Sequence, residues 1–181
     1  MDFVYELKIP KERVAVLIGK EGSVKEDIES STKTKIKVDS KEGDVFISGE
    51  DGLGMYNAKE VIIAVGRGFN PETALLLLKP DYVFEMVDIS DYARKSKGSL
   101  MRLKGRIIGT EGKCRRIIEE LSECYISVFG KTVAIIGTNS SASIARHAIE
   151  SLLTGSTHAN VYKWLEKRRR ELKRNQILDG I

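Results

Sequence analysis

The sequence predicts an α+β protein built from two tandem copies of one small domain. Each copy is a three-stranded antiparallel sheet packed against three helices, and a basic C-terminal helix follows the second. Three observations carry this expectation. An internal repeat runs through most of the chain. The strand and helix signals fall in the order β-α-α-β-β-α in both halves. The same glycine-punctuated break lies between the first two helices of each half.

The repeat is read residue by residue. Leu17 to Gly22 (LIGKEG) matches Ile107 to Gly112 (IIGTEG) at an offset of 90. Ile28 with Ile118, Ile36 with Ile126 and Val38 with Val128 keep that offset. Val45 with Val133, Ile47 with Ile135 and Gly49 with Gly137 follow at 88, so the second copy has a connection two residues shorter. Ala58-x-x-x-Ile62 then matches Ala145-x-x-x-Ile149. A period this long marks duplicated domains, not the 20–50-residue units of a solenoid.

In the first copy, Phe3, Tyr5, Leu7 and Ile9 alternate as a half-buried strand that Pro10 ends. A short helix is expected over Lys11–Ile18, because proline is favoured at a helix start. Ser23 with Glu26 three residues on reads as a capping box opening a second helix to about Thr32. Strands are expected at Lys35–Asp39 and Asp44–Ser48, and an amphipathic helix at Leu53–Val65. The second copy repeats these as a strand near Tyr82–Asp88, helices at about Gly98–Ile108 and up to Leu121, strands Tyr125–Phe129 and Thr132–Ile136, and a helix Ser141–Leu153. The expected divisions are a first domain over 1–70, a linker over 71–80 with a short helix at Glu72–Leu78, a second domain over 81–156, and a basic helix over 157–181.

The net charge of +4 is unevenly spread. Residues 94–116 hold nine basic side chains against Glu111, and residues 163–174 hold seven against two acids. Those segments carry +8 and +5, leaving the rest of the chain at −9. An acidic body with two basic segments points to a localised polyanion site. No apolar run exceeds five residues, against the ~20 that a membrane span needs. The first residues lack a signal-peptide pattern, and Cys114 and Cys124 give no disulfide framework, so a reducing cytoplasm is the expected compartment. Cys114, Cys124, His147 and His158 have no metal-ligand spacing, and neither glycine loop has the Gly-x-x-x-x-Gly-Lys-Ser/Thr pattern of a nucleotide phosphate loop. No cofactor, no metal, no small-molecule substrate and no catalysis are expected.

Two glycines three apart between short helices leave a turn free of Cβ atoms, where another backbone can come close. The next helix then offers its first N–H groups to an anion. Gly109, Thr110, Glu111 and Gly112 form this clamp in the second copy, flanked by Lys104, Arg106, Lys113, Arg115 and Arg116 as candidate phosphate contacts. Ile107, Ile108, Ile126 and Val128 are candidates for an apolar floor against which bases pack, with plain core as the better reading for each singly. Gly19, Lys20, Glu21, Gly22 and Lys25 make the secondary site. Residues 8–25 carry only +3, so copy one is expected to make a minor polyanion contact or to have a structural or protein-binding role.

The Ile-Gly-x-x-Gly turn between two helices, preceded by one strand and followed by two strands and a helix, resembles the type I KH fold. Residues Gly105 to Gly137, GRIIGTEGKCRRIIEELSECYISVFGKTVAIIG, are similar to the archaeal relatives of the partner-of-Nob (Pno, or Dim-two) family of small-subunit ribosome assembly proteins. That resemblance implies a clamp for about four nucleotides of single-stranded nucleic acid. It also implies binding near the 3′ end of small-subunit ribosomal RNA, with partners such as the translation initiation factor two alpha subunit or other assembly factors. An RNA-targeting subunit of a ribonuclease complex and a KH-fold protein-interaction scaffold are the alternatives. The first would usually bring an OB-type barrel, for which no run of five short strands exists.

Overall fold

The computed structural model describes residues 3–180, which divide into two compact units, unit 1 up to Tyr82 and unit 2 from Val83 on. In unit 1 the elements are β1 (Phe3–Lys8), α1 (Lys11–Ile18), α2 (Ser23–Thr32), β2 (Lys35–Val38), β3 (Asp44–Gly49) and α3 (Gly52–Gly66). A short helix α4 (Pro71–Ala74) follows and runs into a 3-10 turn, Leu75–Leu78. Unit 2 contains β4 (Tyr82–Asp88), α5 (Lys97–Ile108), α6 (Lys113–Ser122), β5 (Tyr125–Phe129), β6 (Thr132–Thr138) and α7 (Asn139–Leu153). It ends in the long α8 (His158–Asp179). The expected β-α-α-β-β-α order is therefore present twice.

The sheets are three-stranded and antiparallel, in the orders β1-β3-β2 and β4-β6-β5. The last strand of each copy is central, so β2 and β5 are edges. Ile36 pairs with Ile47 in unit 1 and Ile126 with Ile135 in unit 2, which places the repeated aliphatics on one face. That face meets the helices. Leu17, Ile28, Ile36, Val45, Ile47, Ala58 and Ile62 are buried, and so are their counterparts Ile107, Ile118, Ile126, Val133, Ile135, Ala145 and Ile149. Each large aliphatic among them contributes ~1.5–3 kcal/mol by leaving water. The repeat is thus a repeat of core positions.

The repetition extends to the backbone. Positive φ recurs at Gly19 and Gly109, Glu21 and Glu111, Gly22 and Gly112, and Lys33 and Glu123, always 90 apart. Lys33 and Glu123 end α2 and α6 in the left-handed region. Glu29 and Glu119, one turn before those ends, accept the N–H of Ile36 (2.6 Å) and of Ile126 (2.9 Å), tying the second helix to the edge strand. Ion pairs Lys25–Glu29 (3.9 Å) and Arg115–Glu119 (3.0 Å) hold those carboxylates in place.

The first half of α8 belongs to the unit 2 core, since Val161 and Leu165 are buried with Ile118 and Leu152, and Trp164 packs partly against them. Its last turns, from Lys173 on, are exposed. No helix among the described residues is long and apolar enough to cross a membrane, and no His, Cys, Asp and Glu cluster there could hold a metal.

Candidate nucleic-acid interface

The clamp of unit 2 begins where α5 stops. Gly109 takes φ 73° and ψ 176°, a combination open essentially to glycine alone, and its N–H donates to Gly105 O at 2.8 Å. A Cβ there would lie 2.7 Å from both the backbone N and the Cβ of Cys114, so the turn closes against α6 only because Gly109 has no side chain. Glu111 and Gly112 both sit in the left-handed region. Gly112 occupies the N-cap position of α6 and offers no capping side chain. The first-turn N–H groups are thereby left for an anion. Gly19 to Gly22 repeat this geometry before α2, again without a side-chain cap.

The cations around the loop divide into two groups. Arg106 is spent on structure: its Nε donates to Leu152 O (3.3 Å) and its Nη2 to Ser156 O (2.5 Å), at the C-terminal end of α7. A cation is favoured there by the free carbonyls and the dipole. Arg13 does the same in unit 1, donating to Val65 O and Phe69 O, both at 2.8 Å. Arg115 is held by Glu119, and Arg116 Nη2 donates to Glu111 O (3.2 Å), bracing the loop from below. Lys104 and Lys113 make no hydrogen bond or ion pair among the described residues. Neither does Arg102, a residue the sequence reading did not single out. Six of the nine basic side chains in 94–116 are unpaired in this sense. In residues 8–25, Lys8, Lys11 and Lys25 are ion-paired and Arg13 is hydrogen-bonded, leaving Lys20. The charge contrast between the two loops is therefore wider than the sequence totals indicate.

The four aliphatics named as a base-packing floor separate in the same way. Ile107 and Ile126 are buried in the unit 2 core, and Val128 packs partly against it. Ile108 is half-buried and outside that cluster, on the face of α5 that it shares with Lys104 four residues earlier. Arg102 is about 200° from Lys104 around the helix, on the opposite side. There Arg102, Gly105, Arg106, Gly109, Thr110, Lys113 and Cys114 line an open trough of about 480 Å³ together with His158 and Tyr162 of α8. His158 Nε2 donates to the Arg106 carbonyl at 2.8 Å, because a carbonyl can only accept. Burial pushes the Tyr162 hydroxyl up to about 12, reinforced by its hydrogen bond to the Cys114 thiol, and burial also raises that thiol. Neither of these two groups ionises near neutral pH, so neither opposes the positive charge of Arg102 and Lys113 in the trough.

Comparison with known proteins agrees with this architecture. Residues 83–170 match the family model of the eukaryotic-type KH domain (KH domain type I), in the form that stands second in PNO1, and residues 4–64 match the KH domain model. A KH domain-containing protein of Methanocaldococcus jannaschii is 50% identical over 172 residues, covering 93% of this chain and 75% of that one. The aDim2p chain in the crystal structure of the a/eIF2alpha–aDim2p–rRNA complex from Pyrococcus horikoshii OT3 superposes with a TM-score of 0.87 at 45% identity, over 94% of this chain and 96% of that one. The chain belongs to the Pno/Dim2 family. The Caenorhabditis briggsae RNA-binding protein pno-1 is a more distant relative, 31% identical over 62% of this chain, which spans 42% of the nematode protein. In this Pno/Dim2 chain both glycine loops lie inside matched KH regions, and α8 falls within the second match up to residue 170.

Proposed function

We propose that this Pno/Dim2 chain is a non-catalytic RNA-binding protein that holds single-stranded ribosomal RNA, near the 3′ end of the small-subunit RNA, during ribosome assembly in the cytoplasm. The observation that carries this is the unit 2 loop: an uncapped helix start behind a Cβ-free turn, flanked by the unpaired cations Lys104 and Lys113. A related aDim2p of 45% identity is named in a complex with rRNA and a/eIF2alpha, which supports ribosomal RNA as ligand and the initiation factor two alpha subunit as a protein partner here. The narrow turn suits one strand, whereas an A-form duplex keeps its major-groove base edges out of reach of side chains and is met mostly by shape. The proposed domain division keeps 1–70 and 81–156 for the KH domains, 71–80 for the linker and 157–181 for the appended helix, whose first half packs into the unit 2 core. Unit 1 is the copy for protein contacts, supported by exposed Phe3, Val4 and Tyr5 on β1 and exposed Leu53 and Tyr56 on α3.

The test is to isolate the protein from cells after crosslinking and sequence the attached RNA. Enrichment of the small-subunit RNA 3′ region is the expected result. A mixed RNA pool accompanied by nuclease subunits would favour the ribonuclease-complex alternative, and no RNA would favour a protein scaffold.

A further inference from the structure

The trough on the α8 side of the loop is not part of a bare six-element repeat, because α8 supplies one wall. Unit 1 shows what the repeat alone provides. At the offset of 90, Arg102 corresponds to Glu12 and Lys113 to Ser23, and no long helix follows α3 to close the side. Unit 2 thus carries two unpaired cations and two aromatic residues where its sister carries a carboxylate, a serine and no wall. The volume of about 480 Å³ lies within the ~300–1,000 Å³ of small-ligand sites. The Arg106 side chain is anchored by the carbonyls of Leu152 and Ser156, so the unpaired cations of the trough are Arg102 and Lys113, which line it together with Gly109 and Thr110.

We propose that this trough is a second nucleotide subsite, which receives the phosphodiester and sugar next to the clamped stretch of RNA. Arg102 and Lys113 hold the phosphate, and Tyr162 and His158 present their rings to the sugar or base. The subsite rests on the RNA-binding reading of the loop and lengthens its footprint beyond the clamped stretch. Its chemistry, a phosphate with an attached ribose, is shared by a free mononucleotide, so the source of the ligand has to be tested.

The full chain is titrated with a tetranucleotide of the target RNA and with the same RNA extended by one to three nucleotides at either end. AMP is titrated separately. Arg102→Gln is compared with wild type, and Thr110→Asp/Glu111→Asp serves as the loop control. Arg102 is exposed and unbonded, so its replacement leaves folding unaffected. Extension at one end should raise wild-type affinity about tenfold, the scale of one charge-assisted contact. Arg102→Gln should abolish that gain, flatten the salt slope by ~0.7 and leave the tetranucleotide unaffected. The loop control should weaken both RNAs. The subsite is overturned if extension adds nothing, if Arg102→Gln weakens short and long RNA equally, or if AMP saturates an Arg102-dependent site while extension has no effect. If the loop control binds as wild type, the clamp reading itself fails, and the subsite falls with it.

Discussion

Replacing Gly109 by alanine should damage unit 2 far more than replacing Gly112, although both glycines have positive φ. At Gly109 the backbone combination of φ 73° and ψ 176° costs a side-chain-bearing residue ~1–3 kcal/mol. The new Cβ would also stand 2.7 Å from the Cys114 backbone N, which cannot yield without moving the first turn of α6. Forced overpacking adds a further ~1–3 kcal/mol, for a total of about 3 kcal/mol or more. At Gly112 the left-handed conformation costs an alanine ~1 kcal/mol, and the nearest atom is the end of the Arg115 side chain at 3.9 Å. For a unit of about 100 residues, 1 kcal/mol corresponds to ~4–8 °C in Tm, so Gly109→Ala should lower the transition by ~12–24 °C and Gly112→Ala by ~4–8 °C. The assay is thermal unfolding followed by tryptophan fluorescence. Trp164 is the sole tryptophan and packs against the unit 2 core, so it reports that unit alone. Gly19→Ala, whose Cβ would meet Val24 at 2.5 Å, should shift the circular dichroism of the chain but leave the Trp164 transition in place. Equal shifts for Gly109→Ala and Gly112→Ala would refute the reasoning.

Other consequences can be checked with the same signal. Glu119→Ala removes both the Arg115 partner and the acceptor for the Ile126 N–H, and should cost ~1–3 kcal/mol, whereas Glu119→Gln keeps an acceptor and should cost less. Burial pushes the Cys124 thiol up to about 11, from an ordinary value near 9. The folded form therefore holds its proton while the unfolded form releases it, and unit 2 should lose about 2–3 kcal/mol as pH rises from about 9 to about 11. Cys124→Ala should flatten that dependence whatever it does to stability at neutral pH. With Lys104 and Lys113 beside the loop and Arg102 in the trough all unpaired, at ~0.7 per neutralised phosphate, log Kd for single-stranded RNA long enough to reach all three should change with log salt with a slope near 2, measured by anisotropy titration at several salt concentrations.

The duplicated fold was legible because its signals are local and occur twice. Alternation in the strands, Pro10 before α1, the Gly-x-x-Gly turns and the aliphatics at fixed offsets each repeat, and the structure places those aliphatics in two equivalent cores. The site was legible only in outline. Counting charges treats Arg106, Arg115 and Arg116 like Lys104 and Lys113. Their availability depends on long-range partners, such as the carbonyls of Leu152 and Ser156 for Arg106, which lie 46 and 50 residues away. Arg102 was overlooked for the converse reason, since it looks like one more cation in a basic run until α8 is seen beside it. A signal existed in Arg102 and Arg106, four apart on one face, and in His158 and Tyr162, also four apart. Nothing in the sequence says that the two pairs face one trough. Periodicity likewise could not separate a groove floor from a core, because Ile107 and Ile108 are adjacent and equally apolar.

Single-stranded RNA binding through the unit 2 loop is tested most directly by comparing two double variants of the full chain against one ribosomal RNA segment and its duplex. Thr110→Asp/Glu111→Asp puts a new carboxylate into a loop that is exposed at both positions, so the fold should survive, as the Trp164 transition will report. Lys20→Asp/Glu21→Asp alters the matching positions of unit 1 by two charges rather than one, so a smaller loss there is the more stringent outcome. The expected result is loss of most affinity for the single strand in the unit 2 variant, a smaller loss in the unit 1 variant, and weak duplex binding throughout. A larger loss in the unit 1 variant at unchanged stability, or duplex binding as tight as that of the single strand, would contradict it.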